Sequence, residues 1–574
     1  MQLSSIFSSL LLASRALSAA LAIQEAPNST YTNPVLTGWH SDPSCTYVAD
    51  GWDAYFCVFS TFLAFPGLPI YASRDLINWR LASYAFSDPS QVPWIATAEG
   101  QQDGIFAPTI RYRDGVFYVV TTYTTPGDIG LLFKTKDPYH TEAWTGPLNF
   151  DIETVDPDLF WDDDGTLYIT FGGCRQMTLD LETRKTSEPY DVWLGTGGQW
   201  PEGPHIHKRP DGAYYLIISE GGTNKDHMVT VARAPHPAGP YEAYKHNPIL
   251  TNANTTEYFQ AVGHSDVFKA PDGHYWGVAL AKRTGPANVA FPMGREMILF
   301  PVSWDDEWPV MHPVRGRMQG WPLPPRTRDV PGIGPFNEDP DDLEFNLDSS
   351  LPPHYIHWRF PDVDKYQIVP AGRKHVLQLT SSVGNITSSP PKIPYTAPFT
   401  FLARRQTSTL FRFIVDLHIS APDIEGAEGG ISLFLTQRQH ADIGIVTLPD
   451  SNGDLAPHFR FRAVAVPART DLPADKIVPV PKKWLCSPIQ LQIRAISETD
   501  YEFSASPKDG NDDAITLGTA PSWLISGSPG SFVGGLLGMY ATTNGANGEA
   551  KVDISRVQYI PEGQYIGDGG WVYP

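Results

Sequence analysis

The segment DGVFYVVTTY, from Asp114 to Tyr123, decides the fold of the first half of the chain. An Asp-Gly pair followed at once by aromatic and β-branched residues is a strong signal for a β-hairpin. The same phrase recurs along the chain at intervals that suit four short strands each. The pairs are Asp50-Gly51, Asp114-Gly115, Asp164-Gly165, Asp211-Gly212 and Asp272-Gly273. This repeat, between about residues 33 and 320, predicts a five-bladed β-propeller with antiparallel blades.

The second half of the sequence shows a different pattern. The stretch WPLPPRTRDVPGIGP, from Trp321 to Pro335, is rich in proline and predicts a stiff linker. Beyond it, apolar and polar residues alternate over Phe411–Ile419 and Ile489–Ile493, as expected of half-buried antiparallel strands. We therefore expect an all-β chain with a propeller domain at residues 23–325 and a concanavalin-like β-sandwich domain at residues 326–574.

The composition excludes some classes of partner. The 574 residues include 42 Lys and Arg against 63 Asp and Glu, which gives a formal net charge of -21. Such a surface repels phosphate backbones and anionic lipid, so neither nucleic acid nor a membrane is expected as a partner. The 16 Trp and 25 Tyr residues offer flat apolar faces against which neutral sugars can pack.

The N-terminal residues 1–22 are small and apolar, which predicts a secretion signal and an extracellular protein. A disordered N-terminal tail is the alternative. Asn-x-Ser/Thr sequences at Asn28, Asn254 and Asn385 fit a glycoprotein of the secretory route.

The chain has four cysteines, and they lack the C-x-x-C spacing of a zinc site. Cys45 and Cys57 flank a turn at Ala49 to Asp53, and counting outward from Gly51 places them opposite each other on a hairpin. We predict a disulfide between them. Two reduced, buried thiols are the alternative, because a cross-strand disulfide needs a particular geometry.

Acidic residues recur in one register of the repeat. Eight residues before each turn aspartate stand Asp42, Phe106, Asp156, Gly203 and His264, and Glu202 lies one step further back in the fourth repeat. The innermost strands of a propeller surround its axis, so these positions should converge on one small volume. Each acid alone could be a turn, capping or loop residue. Three like charges near an axis destabilise a fold, however, and therefore imply a function.

Three converging carboxyl groups suit the hydrolysis of a glycosidic bond. One carboxyl protonates the leaving oxygen, while a second either activates water or attacks directly. A third carboxylate close to the proton donor raises the pKa of that donor and keeps it protonated near neutral pH. The acids thus predict a glycoside hydrolase.

Several motifs resemble glycoside hydrolase family 43. They are NPVLTGWHSDPS at Asn33, GIFAPTIRY at Gly104, VDPDLFWDDDGTLY at Val155, EGPHI at Glu202, SEGGT at Ser219, GHSDV at Gly263 and MGREMILFPVSW at Met293. FTFLARRQ at Phe399 and FVGGLLGMY at Phe532 are similar to the β-xylosidase branch of that family, whose second domain is a β-sandwich. The resemblance covers nearly the whole chain after the predicted signal.

The resemblance implies a role for each acid. Asp42 would be the general base, Asp156 the acid that modulates the pKa of the donor and orients it, and Glu202 the general acid. The implied reaction inverts the anomeric carbon, for which base and acid stand about 6.5–9.5 Å apart. Arg295 matches a substrate-binding arginine; its alternative is a buried arginine paired with Glu296 or another acid.

His264 resembles the axial histidine of the family, which in some members helps to hold a calcium ion or a water beneath the substrate. A histidine satisfied within the core is the alternative. Calcium prefers six to eight oxygen ligands, so an ion here would need mostly water. No cofactor is therefore required, and calcium at His264 stays open.

Two motifs depart from the family pattern and weaken the assignment of the sugar. The usual G-I-W-A-P-H reads GIFAPT from Gly104, and the T-F-E-W-F-P-G of many xylosidases reads TFLAFPG from Thr61. Phe65 or Phe106 would supply a stacking face for the substrate in place of the lost tryptophan. Either phenylalanine could equally belong to the core.

The function implied is an exo-acting β-1,4-xylosidase that releases terminal pentose from xylo-oligosaccharides or arabinoxylan. An α-L-arabinofuranosidase or a bifunctional enzyme is the alternative, because the two pentoses have similar shapes near the cleaved bond. A sugar-binding propeller without turnover is a remoter alternative, against which the acid trio argues. The second domain would be a carbohydrate-binding module or a structural brace that closes one side of the pocket, and the resemblance favours the brace.

Overall fold

The computed structural model describes residues 28–125, 127–420, 423–508, 514–527 and 530–574. The predicted signal at residues 1–22 lies outside these ranges. Within them the chain is built of antiparallel strands, which confirms the expected all-β class. The short 3-10 helices are Pro89–Gln91, Pro93–Thr97, Thr141–Ala143, Gly172–Cys174, Val363–Lys365, Lys482–Trp484 and Ser522–Ile525. No helix in the described ranges has the length and apolar character needed to cross a membrane.

Five antiparallel sheets follow one another along the first half of the chain. The first contains Ser44–Val48, Ala54–Val58, Gly67–Ser73 and Arg80–Phe86; the second contains Gly104–Arg113, Val116–Thr124, Ile129–Thr135 and Thr145–Asp151. The third contains Asp158–Trp161, Leu167–Phe171, Arg175–Thr178 and Tyr190–Asp191. The fourth contains Glu202–Lys208, Tyr214–Glu220, Met228–Ala234, Glu242–Ala243 and Leu250–Thr251. The fifth contains Phe259–Lys269, Tyr275–Arg283, Glu296–Ser303 and Val310–Met311.

The Asp-Gly pairs form the hairpin turns between the first two strands of these sheets. At the second sheet, Arg113 pairs with Val116, so Asp114 and Gly115 alone make the turn. Their φ angles are 51° and 79°, as a two-residue hairpin of type I′ requires. The phrase that repeats in the sequence thus sets the register of each hairpin.

The first strands of the five sheets lie side by side. Each contacts the first strand of the following sheet, and the first strand of the fifth sheet contacts that of the first. The strand Thr30–Thr32 pairs with Arg317–Gln319, so the beginning and the end of this half are joined. The starts of the five first strands therefore face a common space.

The second half contains two large sheets. The six-stranded sheet runs in the order Thr400–Arg405, Leu536–Thr542, Glu428–Thr436, Gln439–Pro449, Leu455–Ala465 and Lys476–Pro479. The nine-stranded sheet contains Tyr366–Ile368, Leu377–Thr380, Lys551–Tyr565, Leu410–Ser420, Ile489–Ala495, Asp500–Pro507 and Ile515–Pro521, with Asp341–Leu343 and Trp571–Val572 beside Lys551–Tyr565. Ile489, Leu491 and Ile493 are buried between more exposed neighbours, as the alternation predicts.

The two halves share one core. Buried side chains of the first two sheets and of the sandwich sheets form a single hydrophobic cluster. The proline-rich segment is fixed to the first sheet, because the backbone nitrogens of Ile333 and Gly334 donate to the carbonyls of Ala82 (3.2 Å) and Leu81 (3.0 Å). The short strands His357–Trp358 and Ala64–Phe65 also pair across the halves.

Cys45 and Cys57 lie opposite each other and form the predicted disulfide. The three glycosylation sequences differ in their surroundings. Asn254 is exposed, whereas the Asn385 amide is buried and donates to Asn544 (2.9 Å).

Candidate active site

The starts of the five first strands surround a cavity of about 380 Å³. Six residues singled out from the sequence line it. They are Asp42, Phe106, Asp156, Glu202, His264 and Arg295. The structure therefore brings the acids of the first, third and fourth repeats into one solvent-reachable pocket.

The backbone bends in the same way at or just before the point where four of these strands reach the pocket. Asp42, Asp156 and His264 have φ angles of 54°, 65° and 50°, and Gly203, next to Glu202, has 56°. The left-handed conformation costs a non-glycine residue about 1–3 kcal/mol. The recurrence of this conformation explains why a fixed count from each hairpin turn reaches the pocket wall. Strain that is repeated around a pocket is typical of residues kept for function rather than stability.

Asp42 is buried and held by three donors. The Arg295 guanidinium approaches it with two nitrogens, 2.8 Å from Oδ1 and 3.2 Å from Oδ2. The Ser60 hydroxyl donates to Oδ2 and accepts a hydrogen bond from the Ala107 nitrogen (2.7 Å) of the second sheet. The bidentate arginine and the serine hydroxyl fix the orientation of the Asp42 carboxyl group in the pocket.

Asp156 is buried beside two other acids. Its Oδ2 accepts a hydrogen bond from the Gly203 nitrogen (2.9 Å), which ties it to the backbone next to Glu202. Burial, the Glu202 carboxyl and the Asp42 carboxyl together raise the pKa of Asp156 well above its usual value. These surroundings favour the protonated form of the Asp156 carboxyl.

Glu202 is the most accessible of the three acids, with 27% of its side chain exposed. It begins the strand Glu202–Lys208, whose register with the neighbouring strand shifts between Glu202 and His205. Its Oε1 lies 3.1 Å from Nε2 of His227, a fully buried ring. An acid at a pocket wall with an open face can reach the leaving oxygen of a substrate.

Arg295 was expected either to bind substrate or to be buried and paired with an acid, and its surroundings fit both. It pairs with an acid, but that acid is Asp42 rather than Glu296, which pairs with Arg283 (2.7 Å). The same guanidinium lies 5.0 Å from the ring centre of Phe532 and lines the pocket. It can therefore hold the base and contact a sugar hydroxyl at once.

His264 lies under the pocket and is neutral. Burial lowers the pKa of His264 to about 4, and its Nδ1 is 3.7 Å from Oδ1 of Asp42. Its ring packs on Gly203, where a Cβ would lie 3.1 Å from the ring. The close contact explains why a glycine follows Glu202.

The side chains around His264 supply few oxygen ligands. Deeper along the same strands, the buried carboxylates Asp158 and Asp266 are each 2.7 Å from a nitrogen of Arg111, which supplies the positive charge there. Within the described ranges, no group of three or more His, Cys, Asp and Glu side chains is arranged to hold a metal. Calcium prefers six to eight oxygen ligands, so an ion beside His264 would take most of them from water, and calcium there stays a prediction.

The two candidate stacking residues lie in different places. Phe106 lines the pocket and forms an aromatic cluster with Phe62 and Phe532, at centroid distances of 4.8 Å and 6.2 Å. Phe65 lies outside the pocket, where it packs against Phe86 (5.3 Å) and Phe360 (5.1 Å). The expected substrate contact of Phe65 is therefore replaced by a role in the core between the two halves.

Phe532 comes from the second half of the chain and completes the pocket wall. Its carbonyl accepts hydrogen bonds from the Ser41 hydroxyl (3.0 Å) and from Nε of Arg295 (3.3 Å). The sequence placed Phe532 in a family-like motif but gave it no role. Its position more than two hundred residues after Arg295 hides the contact.

Trp200 stands at the rim with 65% of its surface exposed. The loop that carries it is fixed from below by Glu220, a buried carboxylate. Glu220 accepts hydrogen bonds from the Thr196 nitrogen (3.0 Å) and hydroxyl (2.8 Å) and from the Gly198 nitrogen (2.9 Å). An exposed indole on a rigid loop next to an acid offers a flat face for a second sugar ring.

The pocket contains carboxyl groups that differ in exposure. Such a set of carboxyl groups is typical of a glycoside hydrolase. The chain matches the model of glycosyl hydrolases family 43 over residues 31–309. It matches the model of the β-xylosidase C-terminal concanavalin A-like domain over residues 343–560.

Individual relatives span almost the whole chain. The chain is 32% identical to a non-reducing end α-L-arabinofuranosidase of Bacteroides ovatus, over 90% of this chain and 92% of that protein. It is 28% identical to a xylosidase/arabinosidase of Butyrivibrio fibrisolvens, over 91% and 98%. The solved structure of the family 43 protein BlXynB from Bacillus licheniformis superposes with a TM-score of 0.78 at 26% identity, covering 92% of this chain and 99% of that one. The chain thus belongs to glycoside hydrolase family 43 and is a glycosidase with a C-terminal β-sandwich domain.

Proposed function

We propose that the protein is an inverting exo-glycosidase that releases terminal xylose from β-1,4-linked xylo-oligosaccharides or arabinoxylan. The observation that carries the proposal is the pocket itself, in which Asp42, Asp156 and Glu202 face one space of about 380 Å³. That volume is near the lower end of the roughly 300–1,000 Å³ of small-ligand sites and suits a chain end rather than a long polymer.

The same proposal assigns the first half to a closed five-bladed propeller. Its support is the ring of contacts among the first strands, in which the fifth sheet touches the first. In such a ring the five strand starts form one mouth, and the acids at those starts share it.

In the proposed reaction, the Asp42 carboxylate takes a proton from a water molecule. The water oxygen attacks the anomeric carbon, the glycosidic bond breaks, and Glu202 gives its proton to the leaving oxygen. Asp156 holds the backbone beside Glu202, because its carboxyl accepts a hydrogen bond from the Gly203 nitrogen. The products are the inverted pentose and the shortened oligosaccharide.

Stereochemistry tests this scheme directly. NMR of the first-formed sugar should show the inverted anomer, because water attacks from the face opposite the leaving group. A retained anomer would contradict the assignment of Asp42 as a base that activates water.

An α-L-arabinofuranosidase, or an enzyme with both activities, is the second candidate. It is favoured by the relative from Bacteroides ovatus, whose name states that activity. The two nitrophenyl glycosides, β-xyloside and α-L-arabinofuranoside, should be assayed side by side. Hydrolysis of neither one would remove the pentosidase proposal. A sugar-binding protein without turnover is the remaining alternative, and normal binding and turnover by Glu202→Gln would remove Glu202 as the acid.

We also propose that the protein is secreted and that the second half braces the pocket. A disulfide between Cys45 and Cys57 suits an oxidising compartment. Phe532 and the shared hydrophobic core support a brace. Expression of residues 1–325 alone tests the brace, and a stable, fully active fragment would contradict it.

A further inference from the structure

His227, which no pattern in the sequence singled out, touches the proposed general acid. The ring is fully buried, and its Nε2 lies 3.1 Å from Oε1 of Glu202. Within the part of the chain that the structure describes, that nitrogen has no other polar partner. A buried ring nitrogen that faces a single carboxyl group influences where the carboxyl proton lies.

The opposite side of the ring fixes its tautomer. Nδ1 lies 3.1 Å from the carbonyl oxygen of Ala261, and a carbonyl oxygen only accepts hydrogen bonds. Nδ1 therefore carries a hydrogen. If the ring is neutral, Nε2 presents a lone pair to Glu202, because a neutral imidazole has one N–H group.

The fifth sheet is shaped to accept this ring. A Cβ at Gly263 would lie 2.4 to 2.5 Å from atoms of the His227 ring, so the ring occupies the space that any other residue would fill. Ala261, whose carbonyl fixes Nδ1, has a φ angle of 54°, and the register of its strand shifts on either side of Gly263. Two departures from regular strand geometry thus converge on one histidine.

We propose that His227 is a positioning residue that keeps Glu202 protonated between turnovers. The proposal rests on the function given above, since it acts through the general acid. A protonated carboxyl donates a hydrogen bond to the Nε2 lone pair, whereas a carboxylate would face that lone pair across 3.1 Å without a hydrogen between them. The contact therefore favours the acid form over the ionised form.

The proton balance of the cycle is simple. In the resting enzyme the Glu202 hydroxyl points to Nε2. When a glycoside is bound, the hydroxyl turns to the glycosidic oxygen and loses its proton as the bond to the anomeric carbon breaks. Glu202 is then a carboxylate, and Asp42 holds the proton that it took from the attacking water. Before the next cycle Asp42 releases a proton to solvent and Glu202 takes one up, which restores both groups.

Other charged groups act on Glu202 from the surrounding strands. Asp156 and Asp42 disfavour a further negative charge in the pocket, and Arg295 partly offsets them. His264 faces Glu202 from the fifth sheet as a neutral ring. Lys282 donates to the Thr223 carbonyl (2.8 Å) at the edge of the pocket. His227 differs from all of these because it contacts the carboxyl oxygen directly.

The test compares two substrates that differ in their need for an acid. Xylobiose has a poor leaving group and requires protonation, whereas 2,4-dinitrophenyl β-xyloside has a good one and does not. For His227→Phe we expect kcat/KM on xylobiose to fall by about tenfold to a hundredfold, and on the activated substrate by less than about threefold. His227→Gln should restore part of the loss, because the glutamine amide oxygen can accept a hydrogen bond from the protonated Glu202 carboxyl. His246→Gln, at an exposed histidine, is the matched control and should leave both rates unchanged.

Glu202→Gln separates the failure of this inference from the failure of the proposed function. If Glu202→Gln loses activity equally on both substrates, Glu202 is not the acid and the proposed function fails. If Glu202→Gln distinguishes the substrates but His227→Phe does not, the role of His227 alone is overturned.

A second variant and a spectroscopic measurement apply if His227→Phe does not fold. Gly263→Ala pushes the ring from its place and should give the same dependence on the leaving group. In the unmodified protein, 15N NMR should show an unprotonated Nε2 and a protonated Nδ1 for His227. A protonated Nε2 in the resting enzyme would overturn the proposal.

Discussion

Two groups of buried carboxylates lie one behind the other on the same strands, and they are neutralised to different degrees. At the pocket, Arg295 pairs with Asp42, while Asp156 and Glu202 line the same space. Deeper in the fold, the carboxylates Asp158 and Asp266 share Arg111, with His205 and His207 beside them.

The pKa directions follow this difference. Burial would raise the pKa of Asp266, but the Arg111 guanidinium and the two histidines lower it well below its usual value. Burial and the neighbouring acids instead raise the pKa of Asp156, two residues before Asp158 on the chain. The pKa of Asp266 is thus lowered by a neighbouring cation, whereas the pKa of Asp156 is raised by burial and by neighbouring acids, a pattern common at functional sites.

The largest effects are expected at the pocket. Asp42→Asn and Glu202→Gln should each reduce kcat on xylobiose by at least about a hundredfold, because each removes one half of acid–base catalysis. Glu202→Gln should not greatly lower the thermal unfolding midpoint, because the Glu202 side chain is partly exposed. Asp42→Asn leaves the buried Arg295 guanidinium without its counter-charge and should lower the midpoint. An unchanged rate in either variant would refute its role, and calorimetry of the same samples shows whether stability is retained.

The deeper group should respond in the opposite way. Arg111→Met leaves Asp158 and Asp266 buried without their cation, and the free energy of unfolding should fall by about 3–5 kcal/mol. Arg113→Met is the matched control, because Arg113 pairs with the exposed Asp114 at the surface and is worth about 1 kcal/mol or less. Denaturant titration measures both. Equal losses of unfolding free energy in the two variants would show that the buried ion pair stabilises the fold no more than the exposed pair does.

The histidines of both groups make stability depend on pH. Burial lowers the pKa of His264 and of His207 to about 4 in the folded protein, against about 6.5 in the unfolded chain. Between these values the unfolded chain binds more protons, so the free energy of unfolding should fall as the pH drops from about 6.5 to 4. His207→Gln should flatten this dependence in thermal melts. The same pH dependence in His207→Gln and in the unmodified protein would contradict a lowered pKa of His207.

The smallest effect is expected at the rim. Trp200→Ala should raise KM for xylotriose by about threefold to tenfold, which corresponds to about 0.5–1.5 kcal/mol of lost aromatic packing. Leu194→Ala, at another exposed residue of the same loop, is the control and should not change KM. If both variants behave alike, Trp200 does not contact the second sugar.

The sequence was informative wherever a local pattern repeats. The Asp-Gly phrases predicted the hairpins, and counting from them reached Asp42, Asp156 and His264, because the chain bends in the same way at each of these positions. Burial alternation in Ile489–Ala495 followed the apolar pattern for a similar reason. Short-range geometry and the period of a strand are properties that a sequence carries directly.

Contacts between distant segments could not be found in this way. Phe65 was predicted to face the substrate, but its strand pairs with His357–Trp358 of the second half and turns the ring into the shared core. Phe532 reaches the pocket from that same half. His227 has no counterpart in the other repeats. Its position next to Glu202 depends on the space that Gly263 leaves on the neighbouring sheet.

The contribution of Phe532 to the pocket wall has a consequence for hybrid enzymes. Exchanging the C-terminal halves of two family members would replace the supporting domain and also the part of the pocket wall that Phe532 forms. We therefore expect hybrids to shift in their choice between xylose and arabinose even when every acid is inherited from one parent.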